Sequence, residues 1–494
     1  MKIKTEVTEA WPPLAWVARA DAESGEVLVR HGPRVEAAAE WTVEAVWAGD
    51  YGAGGFDETD LVFGTGVRLR GDAVVFVSSG TVFDRLWHCR QDGAVFVSNS
   101  LPALLAATGR RLLEDYPGYA KHVRAIIRGL DEGAQALPTD RGDVHMQYYR
   151  NLRWAGDDLQ VVDKPDAAPS FGSYAEYRGF LRQTAVALGG NLSDPRRQHA
   201  ITPMTTISSG YDSCTAAVVS RDAGCTQAAT IRKASSLWRG SDSGEHVAEL
   251  LGLDCKVYER APEQYPDEIA LWAGEGRPGI INWTQFEFPK PLCLLFTGCH
   301  GEKLWDRVSH DHPDPFVRRD TSSLGFCEFR LHAGVFQCVV PFWGVRHSRE
   351  LHRITAEEMQ PWYFGKDAYD KPIARRIVED AGVPRKAFGT VNKNTSLESR
   401  FLWPYSPEAQ ASFSEYLAAR GVEGFSPARA SRLRAWAKLE GLVYYNVLKP
   451  LRMRRRPMRW DRLRRESWPF RWANDVLREQ YAEGLREAGV EVGR

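Results

Sequence analysis

The chain has 494 residues, 43 % of them hydrophobic, enough apolar side chain for roughly two to four domains. Its 64 Lys and Arg balance its 64 Asp and Glu, so global charge selects no nucleic-acid or membrane partner. No apolar run nears the roughly 20 residues of a membrane-spanning helix. The opening Met1 to Glu6 leads into no secretory signal. The eight cysteines are dispersed and form no C-x-x-C pair, which speaks against a disulfide scaffold or a structural zinc site and for a reduced, cytoplasmic protein.

Residues up to about 150 read as mostly β. Short β-rich runs at 26–29, 73–77 and 94–97 are punctuated by Gly-Asp, Ser-Gly and Asp-Gly pairs. A helix is predicted over 101–107, from Pro102 to a stop at Gly109. The polar, Pro- and Ala-rich segment 157–171 reads as a connector, giving a first domain at 1–155. From Ser173, a plausible N-cap, Tyr174, Tyr177, Phe180, Leu181, Thr184 and Leu188 recur on one helical face.

Strand and helix then alternate: strands at 200–207, 228–232, 256–259 and 292–297, helices at 213–221 and 244–251. This order predicts a parallel sheet covered on both faces. The last third reads as helices at 371–381, 407–419, 428–448 and 472–488. A basic stretch from Lys449 to Arg471, interleaved with Met458, Trp460, Trp468 and Phe470, marks 449–494 as a basic, aromatic-rich helical tail. Such a run is a solvated surface, a contact for an anionic carrier, or a nucleic-acid platform.

The loop Ser208-Ser209-Gly210-Tyr211-Asp212-Ser213 lies after a strand and before a helix. Ligands of open parallel sheets bind there. Small residues let backbone N–H groups approach an anion, and the helix start adds a positive dipole end. Serine hydroxyls can donate to phosphate oxygens. Asp212 makes sense if it holds a divalent cation that bridges to those phosphates. No G-K-[ST] follows, so this is not a Walker loop.

The loop resembles the S-G-G-x-D-S pyrophosphate loop of the asparagine-synthetase-like ATP pyrophosphatases, the PP-loop family. Three further segments match in order: Ser241-Asp242-Ser243-Gly244-Glu245 opening a helix that ends at Leu251-Gly252, Gly298-Cys299-His300-Gly301-Glu302-Lys303-Leu304, and Lys371-Pro372-Ile373-Ala374-Arg375-Arg376 on to Lys393. The resemblance covers about 170–400 and implies an α/β pyrophosphatase domain at 170–448. It implies ATP and Mg²⁺ as cofactors, with Ser208 to Ser213 and Asp242 at the nucleotide and Asp212 and Glu302 on the metal. Lys393 would face the α-phosphate or acyl group. The implied reaction joins a small-molecule, peptide or glycan carboxylate to an amine, through an acyl-adenylate, with loss of pyrophosphate and AMP.

The chain also departs from the pattern. Ser209 replaces a glycine, Cys299 a glutamate that assists the amine, and Lys303 an acidic residue; His300 is a candidate substitute base. Phe83-Asp84-Arg85-Leu86-Trp87 and Phe96 to Leu105 resemble the end of a class II glutamine amidotransferase domain. That enzyme needs an N-terminal cysteine, and Lys2 stands in its place. The expectation is therefore a degenerate, β-rich domain without glutaminase activity, as in β-lactam synthetases and lasso-peptide cyclases. Alternatives are a tRNA-modifying pyrophosphatase and a nucleotide-binding scaffold with lapsed catalysis. The polar run Asp306 to Asp314, with His310 and His312, reads as a loop or substrate lid before a metal cluster.

Overall fold

The structure, a computed structural model, describes residues 1–232, 242–259, 261, 265–308, 314–318, 320–364, 370–389, 403–422, 427–444, 448 and 467–490. The N-terminal region is a β-sandwich. One sheet has seven strands in the order Lys2–Val7, Glu26–His31, Trp16–Asp21, Ala94–Ser98, Arg85–Gln91, Val144–Tyr148 and Ala136–Leu137. The other has six, in the order Asp158–Val162, Asn151–Ala155, Ala73–Val77, Val62–Arg70, Trp41–Trp47 and Glu36–Ala38. Period-two alternation builds the filling: Trp16, Ala18 and Ala20 point between the sheets with Val27, Val29, Phe76 and Trp154, while Val17 points outward to the larger core.

The strand Asp158–Val162 falls inside the segment expected to be a connector. It pairs antiparallel with Asn151–Ala155 as an edge strand. Its polar sequence reflects that exposed edge, so the sandwich extends beyond residue 155.

The second region holds a five-stranded, wholly parallel sheet in the order Asp254–Tyr258, Gln227–Ile231, Ile201–Thr206, Leu292–Thr297 and Val335–Val339. Four of these strands match the sequence reading to within two residues; the fifth, Val335–Val339, was not foreseen. Leu292–Thr297 and Val335–Val339 are buried at every position, as strands covered on both faces must be. Ser173 caps the helix Tyr174–Leu192, its hydroxyl accepting from the Glu176 N–H at 3.3 Å.

The supposed tail is not peripheral. The helix Ser467–Glu487 is built into the core, with Phe470, Trp472, Ala473 and Tyr481 buried. Phe470 stacks on Tyr119, Trp472 packs on Phe413, and the Trp11 indole N–H donates to the Tyr481 carbonyl at 3.0 Å. Phe470 and Trp472 are thus spent on packing rather than on stacking bases. Residues 449–466 lie outside the described residues.

Buried charges join the two regions. Arg330 donates to Asp84 at 2.6 Å and to Glu44 at 2.7 and 2.9 Å. Beside it, Glu328 Oε1 accepts from the Ser100 hydroxyl at 2.6 Å and the Tyr481 hydroxyl at 3.2 Å. Burial pushes the Glu328 carboxyl up to about 7, against those hydrogen bonds and the pull of Arg85 and Arg330. Its stabilising contribution is therefore complete below the ordinary value of 4.5 and is lost as pH rises through 7. Glu328→Gln keeps an acceptor that cannot ionise. Urea unfolding of this variant is expected to give a flatter stability profile from pH 5 to 8 than the parent; an unchanged slope would mean Glu328 ionises normally.

Candidate functional site

The sheet's strands run 3-2-1-4-5 in chain order, so the first, Ile201–Thr206, and the fourth, Leu292–Thr297, lie side by side. Their connections leave in opposite directions, and such a switch point opens a crevice beyond the strands' carboxyl ends. The two loops singled out in the sequence, 207–210 and 298–301, both emerge there. The helix after the first loop starts at Tyr211, two residues earlier than expected, so Asp212 and Ser213 sit in its first turn.

The loop is closed on itself. The Ser208 N–H donates to Ser213 Oγ at 3.0 Å, the two hydroxyls lie 2.8 Å apart, and the Gly210 N–H donates to Ser208 Oγ at 3.2 Å. Ser209 reaches Asp242 by its hydroxyl at 3.0 Å and by its N–H, to the Asp242 carbonyl, at 3.2 Å. Asp242 therefore joins the loop from the neighbouring chain segment, with Ser208 bridged to Ser243. The hydroxyls expected to face a phosphate now bond one another, and an entering anion would exchange these bonds for its own oxygens.

The second loop touches the first backbone to backbone. A Cβ on Gly298 would lie 2.2 Å from the Asp212 carbonyl carbon, and one on Gly301 would lie 2.3 Å from Asp212 Oδ1. Both positions need glycine for this close approach rather than for an unusual dihedral. Gly301→Ala is expected to push the Asp212 carboxylate aside, costing about 1–3 kcal/mol of stability and most nucleotide binding. Calorimetric titration with ATP checks this, and unaltered affinity would show that the loops do not act together.

Asp212 is 27 % exposed, and Lys371 Nζ approaches its two oxygens at 2.6 and 2.8 Å. The same ammonium lies 3.4 Å from Asp306. Burial raises the Asp212 carboxyl to about 6, the charges of Glu302 and Asp306 adding to the rise and Lys371 opposing it. Burial also disfavours the ionised Glu302, yet the hydrogen bond from His300 and the Lys371 charge hold its carboxyl well below the usual range. Lys371 itself is buried, but Asp212, Asp306 and Glu302 outweigh that and raise it above its ordinary value. The Asp212 carboxylate is therefore paired with a lysine to which the sequence reading gave no role of its own, and Glu302 lies close enough for its charge to act on both. One signal existed: Pro372 starts a helix, which puts Lys371 at a positive dipole end, where a cation needs an outside anion.

The expected role of His300 changes, and the departures at Lys303 and Cys299 find structural partners. His300 is buried, with φ of +63°. Its Nε2 lies 3.0 Å from an Arg318 nitrogen and its Nδ1 3.2 Å from Glu302. Arginine can only donate, so Nε2 accepts and Nδ1–H donates to Glu302. Both nitrogens are committed, which leaves none to act as a base. Lys303 donates to the carbonyls of Pro315, at 2.8 Å, and Val317, so it ties down a loop rather than facing a phosphate. Cys299 lies 3.3 Å from Ser323 Oγ, and burial raises its thiol. Lys393, His310 and His312 lie outside the described residues.

Searches against protein-family models and curated protein sequences find no match. The arrangement itself limits the chemistry. Among the described residues no three His, Cys, Asp or Glu side chains form a group able to hold a metal ion. Mg²⁺, however, commonly uses one or two carboxylates and fills its remaining positions with water and substrate phosphates. The hard oxygens of Asp212 and Glu302 fit that use and do not fit a dedicated metal cage. No described helix is long and apolar enough to cross a membrane.

Proposed function

We propose that the chain is an asparagine-synthetase-like ATP pyrophosphatase acting as an AMP-forming amide ligase. The observation that carries this reading is the Asp212–Lys371 ion pair at the switch point, where the loop before Glu302 packs against Asp212 through Gly298 and Gly301. A triphosphate entering there meets the start of the helix Tyr211–Arg221, loop N–H groups and the Lys371 ammonium. A substrate carboxylate oxygen attacks the α-phosphorus, the bond to the bridging oxygen breaks, and pyrophosphate leaves. An amine then attacks the acyl carbon and displaces AMP. Mg²⁺ held by Asp212 and Glu302 would neutralise charge on the leaving pyrophosphate.

The N-terminal sandwich is read as a degenerate amidotransferase domain. On that reading Lys2 stands where such a domain has its cysteine, and the amine comes from a substrate rather than from glutamine. The burial of Phe470 and Trp472 counts against the tRNA-modifying alternative. The test is exchange of labelled pyrophosphate into ATP, screened over carboxylic acids. Acid-dependent exchange supports the ligase. ATP binding without exchange for any acid favours a nucleotide-binding scaffold, a reading consistent with the self-bonded serines of the loop.

A further inference from the structure

We infer that Lys371 is a built-in counter-ion that keeps a bare divalent cation out of the site, so that metal and nucleotide phosphates are captured only together. The inference rests on the nucleotide-binding reading above and goes beyond it by assigning an order to binding.

The argument begins with occupancy. The Lys371 side chain is 4 % exposed, and its ammonium engages both oxygens of Asp212 and lies 3.4 Å from Asp306. The preceding residue, Asp370, is held from both sides. The Arg307 N–H donates to the Asp370 carbonyl at 2.8 Å, and the Phe364 N–H donates to the Asp370 side chain at 2.8 Å. The lysine therefore sits just ahead of its helix, beside the Asp306 segment, with its side chain buried. It does so at the unfavourable end of the helix dipole, a placement that makes sense only against the carboxylates.

A metal ion on Asp212 would need an oxygen at about 2.0–2.1 Å. Two cations cannot share that carboxylate at such range without strong repulsion in a largely desolvated site. Binding the metal thus costs the buried ammonium its two contacts to Asp212 and leaves it only the longer one to Asp306, a loss that another anion must offset. A polyphosphate brings anionic oxygens in with the metal, and bare Mg²⁺ or Mn²⁺ does not. By linkage, whatever the nucleotide does for metal affinity the metal does for nucleotide affinity.

Equilibrium dialysis of the full chain against labelled Mn²⁺, alone and with α,β-methylene-ATP, tests the inference without requiring turnover. The parent protein is expected to retain Mn²⁺ at least about tenfold more tightly with the nucleotide analogue. Lys371→Met is expected to bind Mn²⁺ alone, with the nucleotide dependence largely gone, while Lys371→Arg stays closed. If the parent retains bare Mn²⁺ as tightly as with the analogue, or folded Lys371→Met gains no affinity for bare Mn²⁺, the inference is overturned and the nucleotide reading stands. Should Lys371→Met not fold, the comparison within the parent protein decides alone. If the parent retains neither Mn²⁺ nor the analogue in any combination, the nucleotide reading falls and the inference falls with it.

Discussion

Asp212→Asn is expected to slow ATP cleavage by roughly two orders of magnitude or more while leaving the protein folded. Asparagine matches the aspartate in shape and keeps one oxygen to accept from Lys371, now 2.6 Å from the carboxylate. Loss of the charge also relieves repulsion with Glu302 and Asp306, so the scaffold has no reason to collapse. The charge is what a metal and its phosphates require. Its removal should cost about 3 kcal/mol or more of transition-state stabilisation, roughly two orders of magnitude in rate. Pyrophosphate release, measured beside thermal unfolding, separates the two effects. Near-normal turnover by the folded variant would rule out Asp212 as the metal carboxylate.

Arg330→Met should give the largest loss of stability. Arg330 is buried with Glu44 and Asp84, and all three side chains are at most 2 % exposed. Thr65 and Asn99 also donate to Glu44, at 2.5 and 3.1 Å, but neither supplies positive charge. Removing the arginine leaves two carboxylates desolvated without a cation, a change that costs about 3–5 kcal/mol. Burial already raises Glu44 while Arg330 opposes the rise, so the Glu44 carboxyl titrates still higher in the variant's fold. Raised folded values mean stability is lost as pH rises. The deficit relative to the parent should therefore be larger at pH 8 than at pH 5.5 in urea unfolding. Equal deficits would show that the loss is one of packing alone.

The parts of the fold that were legible carry local signals. Ser173 and Gly109 bound their helices as read, Gly109 in a left-handed conformation. Leu292–Thr297 is an apolar run and Ile201–Thr206 a threonine-rich, β-branched one, and the switch-point loops follow them directly. Val335–Val339 was hidden because it follows the aromatic helix Phe326–Ala333, and a continuous apolar run has no period to distinguish strand from helix. The chemistry of the site was half legible. Asp212, Glu302 and Lys371 all stand in motifs, but that Lys371 meets Asp212 across 159 residues is a pairing no spacing rule reaches. The arginine-rich flank of the helix Ser467–Glu487 read as a surface because charge dominates composition, yet the aromatics among those arginines decide where the helix packs.

The placement of that helix bears on how the protein is made. Trp11 and Tyr481 meet across 470 residues, and the helix Ser467–Glu487 also lies against the helices Leu101–Thr108 and Glu268–Glu275. A ribosome delivers the partner of Trp11 only after nearly every other described residue has emerged. Vectorial folding, in which an early domain seals before the next is translated, is closed to the sandwich: its outward apolar face must wait. Chaperone occupancy on the nascent chain, and insolubility of the N-terminal region expressed alone, follow from that wait.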